Sequence, residues 1–135
     1  MSIEISADIA VARLQVVLDQ LNAGAGPARL QLYTAPRTAL SAPVTATLIV
    51  DIALAEPSGT IADGELTLGT AENAMNVATG IPTWGRFVNG SGMPCISAPV
   101  VVLAPDDPLV AGALCLRVPV LYEGGQVQPL ELKLG

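Results

Sequence analysis

Few residues in this 135-residue chain have side chains that could carry out chemistry. There is no histidine, which removes the commonest general base, the Ser–His and Cys–His pairs and the usual zinc sites. Ser91 lies between Gly90 and Gly92. A nucleophilic serine of that kind needs a G-x-S-x-G elbow between a strand and a helix, and the pattern here is Gly-Ser-Gly. The same "NGSG" lacks the lysine and following helix of a phosphate-binding loop. Asp106 and Asp107 are adjacent and could help hold calcium or magnesium. No further acids at ligand spacing support them, so they read as a solvated turn between Pro105 and Pro108. Asp51 and Glu65 could serve as the paired acids of a glycosidase. Carbohydrate sites use aromatic platforms, and only 3% of this chain is aromatic. Both acids read as outward strand residues. Trp84 could be a ligand platform, but one large ring more simply fills the core or a subunit interface. Cys95 and Cys115 could pair if their strands do, with buried free thiols as the default. No catalytic, cofactor-binding or metal-ligating residue is expected.

The elements that must position these residues follow from periodicity. Ile9, Leu14, Val17, Leu18 and Leu21 recur at helical spacing, with Ser6 as N-cap and Asp8 in the first turn. "NAGAGP" ends the pattern, so the expected helix spans about residues 7–22. From Pro27 the period becomes two. Leu30 and Leu32 alternate with Arg29, Gln31 and Tyr33. "VTATLIVDIAL" places Val44, Ala46, Leu48, Val50, Ile52 and Leu54 on one face and Thr45, Thr47 and Asp51 on the other. "GELTL" and "LELKL" alternate likewise. "ALCLRVPVLYE" points Leu114, Leu116, Val118, Val120 and Tyr122 inward and Cys115, Arg117 and Pro119 outward, and Pro119 demands an edge or a bulge. The stretch 68–82 reads as a long loop with one helical turn at 72–77. Asn89-Gly90 between two strand patterns signals a hairpin with positive φ, and Asp63-Gly64 signals another. The expected fold is mainly β, an antiparallel sandwich or jelly roll with one N-terminal helix. Residues 1–26 form the helical segment and residues 27–135 the sandwich domain.

Composition bounds the partners. Hydrophobic residues make up 51% of the chain and charged residues only 13%, about half the usual charged fraction. Such a surface is expected to meet another protein or further copies of the chain, as a homodimer or homotrimer. The net charge is −6, and the six basic residues Arg13, Arg29, Arg37, Arg86, Arg117 and Lys133 are scattered in sequence. Nucleic-acid binding and polybasic membrane attachment are not expected. Apolar runs are interrupted well before the roughly 20 residues of a membrane span. The start carries Glu4 and Asp8 and lacks a basic, then apolar, export pattern. Synthesis in the cytoplasm with reduced thiols is expected.

The helix "ADIAVARLQVVLDQLNAG", then "ARLQLYTAPRTAL", "ATLIVDIAL", "GELTL", "TWGRFVNGSGMPCISAPV" and "LVAGALCLRVPVLYEGG" follow one another along nearly the whole chain. Together they resemble small β-sandwich structural proteins of tailed bacteriophages and prophages. In those proteins a Trp-x-Arg-Phe strand precedes an Asp/Asn-Gly turn and another strand, as at Trp84, Arg86, Phe87, Asn89, Gly90 and Gly92. The resemblance implies a virion component and first of all a capsid decoration (cement) protein, whose partner is the major capsid protein. A tail, baseplate, head–tail joining or receptor-binding subunit is the alternative, and a small hydrolase comes third. A net acidic domain is repelled by packaged DNA, which favours the outer surface of the head. Within this reading the stripe Ile9, Leu14, Val17 and Leu21 is the expected partner contact, with cover for an open end of the sandwich as the equal alternative, and Trp84, Asn89 and Gly90 form a structural hairpin.

Overall fold

The computed structural model describes residues 7–24, 26–62, 65–70, 74–104, 106–108, 112–127 and 131–134. The chain forms helix α1 (Ala7–Leu21) and strands β1 (Arg29–Tyr33), β2 (Leu48–Ala62), β3 (Glu65–Thr70), β4 (Ala74–Met75), β5 (Trp84–Val88), β6 (Pro94–Val102), β7 (Leu114–Leu116), β8 (Gln126–Val127) and β9 (Glu131–Leu134). Seven strands pair in the order β7-β6-β5-β1-β2-β3-β9, and β4 pairs with β8 in a separate ribbon. The fold is mainly β and sandwich-like, with a single helix among the described residues. The large sheet curls, and its two edges approach each other where the Gly112 N–H donates to the Lys133 carbonyl at 2.8 Å.

Alternation fixes the core. Leu30, Leu32, Val50, Ile52, Leu54, Leu66, Leu68, Phe87 and Leu132 all point inward and are buried. Leu18 and Leu21 of α1 enter the same cluster, with Leu14 and Val17 packed against it. The helical stripe is therefore engaged by the chain's own sheet. Of the two roles open to the stripe, partner contact or cover for the sandwich, Leu14, Val17 and Leu21 take the second, because an amphipathic helix beside an open apolar sheet face gains by covering it. The side chain of Ile9, and the expected cap Ser6, lie outside the described residues. After Leu21, Asn22 N–H bonds the Leu18 carbonyl at 3.0 Å, and Gly24 takes φ +102°, the left-handed exit expected of glycine.

Other departures from the sequence reading have local causes. Strand β2 begins at Leu48, so Val44 and Ala46 lie ahead of it in an irregular segment. The residues described within 72–77 form the short strand β4 and a bend in place of a helical turn. Strand β7 pairs parallel to β6 and ends at Leu116. Cys115 is buried, Val118 and Tyr122 are exposed, and Leu121 is buried in their stead. Once the chain leaves the sheet, with Pro119 unable to donate to a ladder, the two-residue period lapses. The β6–β7 pair is parallel, against the all-antiparallel expectation. Ala62 pairs with Glu65 across the second hairpin, while Asp63 and Gly64 lie outside the described residues.

The hairpin between β5 and β6 is longer than a two-residue turn. Val88 pairs with Pro94, and the buried Asn89 organises the five residues between strands. Its Oδ1 accepts from the N–H of Ser91 and of Met93, each at 3.0 Å. Gly92, with φ +86°, takes the left-handed position in place of Gly90. Gly90 is needed for a different reason. Its N–H donates to the Ala23 carbonyl at 3.0 Å, and a Cβ there would lie 2.2 Å from the Gly26 carbonyl oxygen. The hairpin is thus pressed onto the backbone that leaves α1. Gly90→Val is expected to destabilise by about 1–3 kcal/mol, and Gly90→Asn by a similar amount, because any Cβ meets that carbonyl. Chemical denaturation checks this. An asparagine that is tolerated as well as glycine would point to left-handed strain in place of the steric contact.

Candidate polar sheet face

The inward alternation of β1, β2, β5 and β6 leaves a second face, and the register decides which side chains share it. Gln31 sits opposite Asp51 on one side and Arg86 on the other, and Arg86 in turn sits opposite Ser97. Tyr33 is paired with Trp84, and Trp84 with Pro99. The result is a polar ladder across four strands, beside an aromatic pair.

Arg29 Nε donates to Asp51 Oδ1 at 2.6 Å, and its terminal nitrogen reaches the Asp51 carbonyl at 3.4 Å. Gln31 Nε2 donates to Asp51 Oδ2 at 3.4 Å, and Tyr33 OH donates to Gln31 Oε1 at 2.8 Å. Arg86 Nε donates to the same Gln31 oxygen at 3.4 Å, and its guanidinium lies 5.7 Å from the Tyr33 ring centre. Arg37, on the irregular segment after β1, donates through Nε to Ser97 Oγ at 3.1 Å. The Arg29–Asp51 pair is half-exposed, so it contributes at most about 1 kcal/mol. Beside the ladder on the same face, Tyr33 and Trp84 stack with centroids 4.8 Å apart and an interplanar angle of 22°. Trp84 is buried, and its Nε1 donates to the Thr34 carbonyl at 2.9 Å. The indole is a structural anchor at the end of the polar face.

The residues singled out for chemistry do not converge. Ser91 is exposed on the hairpin. Asp51 is engaged by Arg29, while Glu65 pairs with Ala62 at the far end of β2. Asp106 and Asp107 are exposed on the turn between β6 and β7. There Asp107 Oδ2 accepts from Ala104 N–H at 3.1 Å, and Arg117 donates to the carbonyls of Ala104 and Asp107. Among the described residues no group of three or more Cys, Asp or Glu is placed to hold a metal ion. Three of the six basic residues, Arg29, Arg37 and Arg86, meet on this one face, although their positions in the chain are scattered. Outward alternation marks Arg29, Gln31 and Tyr33. The pairing that adds Arg86 and Arg37 is long-range and leaves no local signal.

Neither cysteine is in a disulfide. Strands β6 and β7 do pair, but Val101 faces Cys115, and Cys95 lies at the opposite end of β6. Burial pushes the Cys95 thiol above its ordinary range, partly offset by a hydrogen bond from the Asn89 backbone. Its S–H donates to the Met93 carbonyl at 3.5 Å. Cys95 is therefore expected to react slowly with a disulfide reagent at neutral pH, and about tenfold faster per pH unit as the thiolate fraction rises. The neutral thiol is the form the fold favours, so its contribution to stability holds below the unfolded-state pKa and is lost as pH rises through the raised value. Native thiol titration checks this. Immediate labelling at pH 7 would contradict it.

Comparison with protein-family models, with curated proteins and with solved structures finds no match.

Proposed function

We propose that this chain is a non-enzymatic virion structural protein of a tailed bacteriophage, a decoration protein that binds the outer surface of the head and reinforces it. One observation carries the reading. Met75, Val77, Ile81, Val118 and Tyr122 are between 49 and 65% exposed, and all stand on two segments tied to each other. Gly80 bridges to Leu121, Asn76 N–H bonds the Gly125 carbonyl at 2.8 Å, and Asn76 Nδ2 bonds the Tyr122 carbonyl at 3.0 Å. Large apolar side chains held out together on two hydrogen-bonded segments are costly in water and favour a protein partner. The order of the Trp84–Phe87 strand and the Asn89-Gly90 turn supports the same reading through its resemblance to phage structural proteins. A cement protein needs stiffness and adhesive area, and many copies on a symmetric shell multiply a weak contact.

The test compares phage particles with and without the protein. Heads that lack it are expected to leak DNA at lower temperature or under osmotic shock, with tails unaffected, and decorated particles are expected to hold the protein in hundreds of copies, on the order of the shell lattice. The double variant Val77→Asp/Ile81→Asp is expected to lose head binding while keeping its melting midpoint. Robust heads combined with defective tails would overturn the reading in favour of the tail or baseplate alternative.

A further inference from the structure

We propose that the arginine face takes the acidic β6–β7 turn of a second copy of this chain, with Arg37 and Arg86 receiving Asp106 and Asp107. The inference does not depend on the shell reading, since it concerns contacts between copies in solution.

The argument begins with how charge is divided. The face carries Arg29, Arg37 and Arg86, with Asp51 the acid that bonds to it among the described residues, in a chain of six basic and twelve acidic residues. The rest of the chain is therefore more acidic than its net charge of −6 indicates. A molecule with one cationic face and an acidic remainder is complementary to itself.

The face is also shaped for carboxylates. Arg86 and Arg37 flank the same residue, Ser97: Arg86 as its cross-strand neighbour, Arg37 through its hydrogen bond. Each donates through Nε, to Gln31 and to Ser97 respectively. Among the described residues no partner engages the terminal nitrogens of either guanidinium. Those nitrogens form the fork that binds a carboxylate bidentately. Gln31 and the Tyr33 ring hold Arg86 in place, so less side-chain freedom is lost on binding.

The acidic turn matches it. Asp106 and Asp107 are adjacent and exposed, and Arg117 pins the turn by its two carbonyls. Two neighbouring carboxylates on a braced turn meet two guanidinium groups gathered at one serine. Face and turn are different patches, so the contact either closes into a ring or dimer or continues from copy to copy.

The experiment is sedimentation of the full chain at micromolar concentration. The wild type is expected to associate in about 0.05 M salt and to lose at least about tenfold in association constant in about 0.5 M salt. Arg37→Glu/Arg86→Glu and Asp106→Lys/Asp107→Lys are each expected to sediment as monomers. Their equimolar mixture is expected to associate again, because each reversed patch then meets its complement. Far-UV circular dichroism of each variant checks folding. If a double variant melts early, the single variants Arg37→Glu and Asp106→Lys replace it, since both residues are exposed and Ser97 is the bonding partner of Arg37 among the described residues. A wild-type monomer at low salt would overturn the proposal, as would association indifferent to salt and to both double variants, or a mixture that stays monomeric. Retention of the monomer on an anionic matrix through the same arginines would overturn it in favour of a polyanion.

Discussion

Trp84→Ala is expected to cost about 3–5 kcal/mol of folding stability, among the largest effects of any single substitution in this chain. The indole is 1% exposed, it stacks on Tyr33 at 4.8 Å, and its N–H satisfies the Thr34 carbonyl at 2.9 Å. Truncation removes all three contributions and leaves a void beside the polar ladder. Trp84→Phe separates them. It keeps an apolar ring against Tyr33 and gives up the hydrogen bond, so a smaller cost of about 1–2 kcal/mol is expected. Urea denaturation followed by far-UV circular dichroism measures both, because the alanine variant has no tryptophan left to report by fluorescence. An alanine variant within about 1 kcal/mol of the wild type would show that the outer face does not need its anchor.

Leu21→Ala is expected to destabilise the isolated chain by about 2–5 kcal/mol. Leu21 is fully buried in the cluster that α1 shares with the sheet. Val16, on the exposed side of the same helix, supplies the control, and Val16→Ala is expected to stay within about 0.5 kcal/mol. A Leu21 variant that melts like the wild type would mean that the helix is dispensable to the core. Its stripe would then again be available to a partner.

The two substitutions mark where sequence is informative. The helix and the inward positions of β1, β2 and β3 follow from period alone, since one buried face per element is a local pattern. Residues 117–122 mislead for the same reason. They continue the alternation of Leu114 and Leu116, but the strand has ended, and only tertiary structure shows that Leu121 turns inward. Gly90 reads correctly as a position that needs glycine, yet the cause is contact with Gly26 from a distant segment. The arginine face is the least legible feature. Gln31 and Arg86 lie 55 residues apart in sequence, and only the strand order makes them neighbours. Half of the basic residues gather on one face without any local clustering.

The closeness of the sheet's two edges has a consequence for how copies of the chain treat one another. An open, flat edge strand is a template for intermolecular β-pairing and for fibril growth. Here β7 has three residues and β9 four, and the backbone hydrogen bond between Gly112 and Lys133 draws their ends together. The two end strands are too short to template much pairing, and where β7 leaves the edge of β6 uncovered, from Pro94 to Pro99, the two prolines interrupt its row of donors. Crowded at high local concentration, as subunits of an assembly are, such chains meet through side chains, whose geometry and charge select the partner. They are protected from the unselective backbone adhesion that turns concentrated β proteins into aggregates.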